Sequence, residues 1–133
     1  MSRYYDLAEH LICHAQGITA ASAAVELLCA HRAWLDKPAF AGRCVITGTH
    51  ASGEPYAYID WSDAVIALNA GHIHGSGSES NILRIAASLG DPCISIQLAC
   101  ALTNLDHANI GLVAAAIFRA NGRSDGPGQY PPF

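Results

Sequence analysis

Apolar residues recur at helical spacing from the start of the chain. Tyr4, Leu7, Ala8, Leu11, Ile12 and Ala15 form one stripe over residues 4–15, and Gly17 ends it. A second helix is expected to start on Thr19 as its cap and to run to about Asp36, with Lys37-Pro38 ending it. The period then changes. Residues 43–49 and 55–60 are rich in β-branched and aromatic side chains, and the HASGE segment between them carries Ser and Gly. This predicts a β-hairpin over about 43–60. Two strands alone are marginal, so the hairpin has to lie on the helices.

The helical period returns at Trp61, with Asp60 as N-cap, Asp63 as its reciprocal partner and Gly71 as the stop. Ser76 and Glu79 have the S-x-x-E spacing of a capping box. Ile82, Leu83, Ala86 and Leu89 make the buried stripe behind it, and Gly90 closes that helix. Residues 94–102 alternate as a strand would, yet Leu98, Leu102 and Leu105 also fit a short helix capped by Ser95, which is the preferred reading. Asp106 caps a last helix over residues 107–120, closed by Asn121-Gly122. The fold expected is one mostly helical α+β domain over residues 1–122. It has two N-terminal helices, one hairpin and about four further helices. A Gly/Pro-rich tail follows over 123–133, from which Tyr130 and Phe133 can dock.

The chain has 133 residues, 51% of them hydrophobic and 14% charged, enough for a self-sufficient core. A formal net charge of −4 and scattered arginines argue against nucleic acid as a partner. Five cysteines, an odd number without a CxxC, fit reduced thiols in the cytoplasm. The first residues, MSRYYDLAEHL, carry charge where a signal peptide has an apolar run. No apolar stretch is long enough to span a bilayer, so a soluble cytoplasmic protein is expected.

Three segments, DWSDAVIALNAG, SESNILRIAASL and ALTNLDHANIGLVAAAIFRANG, together with AAVELLCAHRAWL, resemble small uncharacterised actinobacterial proteins. In these a Trp-led short helix precedes an S-x-x-E-x-x-I-L-R-I-A-A-S-L helix and an A-L-T-x-L-D-x-x-N segment. The resemblance covers about two thirds of the chain and implies no particular activity. In that pattern the loop holding His72 and His74 carries no histidine pair, so the resemblance implies no shared metal role there.

The Gly/Ser run after His74 lacks the lysine of a phosphate loop and is read as helix-start chemistry. His72 and His74 can supply two zinc ligands, with His10, Cys13 and His14 as the further donors. The preferred reading leaves them as exposed histidines and expects no cofactor. His31 falls in the middle of the apolar arc of the second helix. It is read as a satisfied core histidine or, alternatively, as a base in a pocket with Tyr56, Tyr58 and Asp60. Arg84 is read as part of a solvated helix face. No nucleophile motif is present. The leading expectation is therefore a non-enzymatic binding module acting through protein–protein contact; a small enzyme or ligand-binding protein built around His31 and the hairpin tyrosines is the alternative. The last helix is apolar nearly all round. Ile110, Val113, Ala114 and Ile117 are expected to face the core, leaving Leu112, Ala115 and Ala116 for a homodimer interface.

Overall fold

The computed structural model describes residues 3–123, without the side chains of residues 3–5. All of the expected tail beyond Arg123, with Tyr130 and Phe133, lies outside the described residues. The chain is mostly helical with one antiparallel hairpin, a small α+β fold. In order it forms α1 (Arg3–Ala15), α2 (Thr19–His31), α3 (Pro38–Cys44), β1 (Val45–Thr49), β2 (Pro55–Ile59), α4 (Trp61–Ala70), α5 (Gly77–Gly90), α6 (Leu98–Leu102) and α7 (His107–Ala120).

Helix α2 is the centre. It packs against α1, α5 and α7, and its Ala23, Ala24, Val25, Leu27 and Leu28 are all buried. A helix apolar on this scale is stable only when layers cover it on several sides. The hairpin lies on α1 through β2, which buries Ala57 and Ile59 and turns Tyr56 and Tyr58 the other way. Its register sets Val45 opposite Ile59 and Gly48 opposite Tyr56. Helix α4 lies along α5, and Trp61 at its start packs onto Gly90 at the end of α5, where a Cβ would run into the indole. Among the described residues no helix is long and apolar enough to cross a membrane.

Several expectations are corrected. Helix α2 stops at His31, not at about Asp36, because Arg32 turns to φ 72 and its N–H bonds back to the Leu28 carbonyl at 2.8 Å. A bulky residue in that region costs about 1–2 kcal/mol. The turn carries Trp34 into the core, fully buried, with Phe40 at a ring separation of 5.7 Å and its Nε1 donating to the Glu79 carbonyl at 2.7 Å. That burial is worth more than the strain. Pro38 does not simply end a helix; it opens α3, so three helices rather than two precede the hairpin. Thr19 and Ser95 are not caps: the N-cap positions are Ile18 and Gln97, neither with a side-chain bond. Asp60 does cap α4, accepting from the Asp63 N–H at 3.0 Å. Asp63 does not reach back, because its carboxylate is held by Arg43 at 3.0 and 3.2 Å.

Candidate functional site

His31 ends α2 where the first turns of α5 and α7 approach it. The residue is half-buried, and its Nδ1 lies inside the protein without a hydrogen-bond partner. Burial holds its pKa below the ordinary histidine value; the charges of Glu79 and Asp106 oppose that shift and Lys37 adds to it. Glu79 is committed elsewhere. Its carboxylate accepts from the Ser76 N–H at 2.9 Å and faces the Lys37 Nζ at 3.3 Å, while its own N–H donates to the Ser76 Oγ at 3.1 Å. This is the capping box that the S-x-x-E spacing predicts. The bond from Ser76 is the main reason the Glu79 carboxyl stays below the usual carboxylate range.

The hairpin tyrosines have different company from His31. Tyr56 and Tyr58 lie nearly parallel, 6.3 Å apart, and His14 of α1 sits 5.8 Å from the first ring and 5.3 Å from the second. Three near-parallel rings at three similar separations cannot form one column, so they lie beside one another as a patch. His50 joins its edge, 4.8 Å from Tyr56, and Tyr56 lies over Gly48, where a Cβ would clash with its phenol. Asp60 is occupied in the α4 cap. The structure thus places His31, the tyrosines and Asp60 in three separate settings, not in one pocket.

Of the four histidines considered as metal ligands, His10 and His14 share α1, and the other two lie in the segment after α4. His14 belongs to the aromatic patch, His72 is exposed and acts on the charge of Asp63, and His74 is exposed near Gly71. Among the described residues no three His, Cys, Asp or Glu side chains gather as a metal site requires. Cys29 and Cys44 are pushed up to about 11, chiefly by burial, so neither is a thiolate at neutral pH.

Helix α7 differs from expectation in phase. Val113 and Ala116 face the core, and Ala116 is 1% exposed, so it is closed to a second chain. Leu112 packs against the core and Ala115 is half-buried. The outward side instead carries Ile110 and Ile117, 39% and 47% exposed, with the half-buried Ala114 between them.

Arg84 is the residue that sequence reasoning undervalued. It is half-buried, and its Nη2 donates to the Asn69 Oδ1 of α4 at 2.7 Å. Asn69 and Arg84 lie 15 residues apart on different helices, so no local pattern reveals the contact. Compared with protein-family models, with curated proteins and with solved structures, the chain matches none.

Proposed function

We propose that the chain is a small non-enzymatic binding module that acts through protein–protein contact, with a second copy of itself as partner. The observation that carries this reading is the outward side of α7, where Ile110 and Ile117 stand exposed two turns apart. Burying an isoleucine side chain completely is worth about 1.5–3 kcal/mol. A two-fold arrangement would bury the same pair from each copy. Gly111 and Ala114 leave room there for a close approach: a Cβ on Gly111 would meet nothing within 4 Å. The polar groups that an enzyme reading would use are already committed, Glu79 to its cap and to Lys37, and Asp60 to α4.

Light scattering after size exclusion tests the proposal. The wild type is expected at twice the chain mass, and Ile110→Glu at the mass of one chain. A wild type that stays monomeric at high concentration overturns self-association.

A further inference from the structure

A cavity of about 290 Å³ opens between α5 and the segment that leads into α6. Asn81 and Arg84 line it from α5; Ser95, Ile96, Gln97 and Cys100 line it from the other side. Its size lies at the lower end of small-molecule sites. Its chemistry is uneven: amides, a hydroxyl and a thiol surround one cation and no carboxylate.

The charge of that cation is unanswered. Arg32, Lys37, Arg43 and Arg119 each sit on a carboxylate within 3.3 Å. Arg84 has the neutral oxygen of Asn69 instead, and among the described residues no carboxylate pairs with it. Asn69 engages a single guanidinium nitrogen and so leaves the remaining N–H groups of the fork for another acceptor. A second groove, of about 340 Å³ between α2 and α7, is larger, but it contains a carboxylate, Glu26, which holds Arg119 at 3.0 Å, and its Arg123 donates to the Asn121 Oδ1 at 3.1 Å. Size favours that groove, and charge favours the cavity at Arg84.

We propose that this cavity binds a small oxyanion-bearing molecule, a carboxylate or a phosphate monoester with a hydroxylated body of a few carbons. Its anionic group takes the free N–H groups of Arg84, whose planar fork suits both carboxylate and phosphate. Asn81, Ser95 and Gln97 offer donors and acceptors to its hydroxyls, and Ile96 faces its carbon skeleton. Cys100, with its Sγ 3.4 Å from the Gln97 Oε1, marks the rim.

Backbone and arginine side-chain NMR of the full chain tests this, with inorganic phosphate, glycerol 3-phosphate and glycerate as probes. Saturable shifts are expected at Ser95, Gln97, Cys100 and the Arg84 Nε, with a dissociation constant on the order of millimolar for the better probe. Glycerate alone identifies the carboxylate as the anion taken, and glycerol 3-phosphate alone the phosphate. Arg84→Gln should weaken binding roughly tenfold or more, the size of one charged hydrogen bond. Arg119→Gln should leave it unchanged. If Arg84→Gln loses its native spectrum, Ser95→Trp serves instead, filling the cavity from its exposed side and abolishing the shifts. Absence of saturable shifts with all three probes overturns the proposal, and so does equal binding by a folded Arg84→Gln or Ser95→Trp.

Discussion

Helices α5 and α7 are the same length, each begins on a side-chain cap, and each packs on α2, yet they finish their outer faces in opposite ways. Helix α5 buries Ile82, Leu83, Ile85, Ala86 and Ala87 and turns Asn81, Arg84 and Ser88 outward, each half-buried. Ser88 returns a hydrogen bond to the Ile85 carbonyl at 2.8 Å, and Arg84 is held by Asn69. Helix α7 buries only Val113 and Ala116 and sends two isoleucines outward. One helix finishes its outer face with polar side chains that water or a small ligand can satisfy. The other has apolar surface that none of the described residues covers, which in a binding module is where a partner adds its contribution.

The largest expected effect sets the two helices apart. Ile82→Ala should cost about 3 kcal/mol, because it leaves a cavity in a fully buried site. Ile117→Ala should cost less than about 0.5 kcal/mol in the dilute chain, because the side chain is 47% exposed among the described residues. Urea unfolding measures both. Equal costs would erase the contrast and place Ile117 in the core.

The caps come next. Ser76→Ala should cost about 1 kcal/mol, and a double-mutant cycle with Glu79→Ala should show coupling, since each side chain answers the other's N–H. Asp106→Ala at α7 should cost a similar amount, because Asp106 accepts from the Asn109 N–H at 2.8 Å. There the bond has no reciprocal partner of the kind Glu79 supplies at α5. A silent Ser76→Ala would move the start of α5.

His31 gives the smallest effect and a sign. Its folded pKa lies below the unfolded value of about 6.5, because burial disfavours the charged ring. The unfolded chain therefore binds the proton first. The neutral-ring stability is intact above that value and is lost as pH falls from about 6.5 through the folded value. The lowered pKa of Glu79 works lower on the scale: its stability is present above about 4.5 and is lost as pH falls below that. His31→Leu should flatten the first slope and change the second little, since the His31 charge is the smallest of the causes that lower Glu79. A His31→Leu variant whose denaturation midpoint falls between pH 7 and pH 5.5 as steeply as the wild type's would contradict the placement of Nδ1.

These differences also explain what the sequence disclosed. The α5 box was legible because Ser76 and Glu79 sit at a fixed local spacing, and Asp106 was legible for the same reason. The end of α2 was not. The run from His31 to Asp36 contains no Gly or Pro, and what stops the helix is the burial of Trp34 against Phe40 and α5, a tertiary cause. The phase of α7 was hidden because Leu, Ile, Val and Ala occur all round it, so periodicity could not choose a face. The expected box at Asp63 failed for a distant reason, the claim of Arg43 from 20 residues away. The cavity at Arg84 was invisible on the same grounds, since its walls come from α5 and the 95–101 segment and its cation is held from α4.

Sedimentation velocity over a concentration series tests self-association through α7, comparing the wild type with Ile117→Glu and with Ile66→Glu. Ile66 on α4 is 56% exposed, more so than Ile117, and serves as a control for apolar exposure alone. A wild-type dimer that dissociates on dilution is expected, with a monomer for Ile117→Glu at every concentration and a dimer for Ile66→Glu. A wild type that sediments as a single chain throughout, or an Ile117→Glu variant that dimerises like the wild type, would contradict self-association through α7.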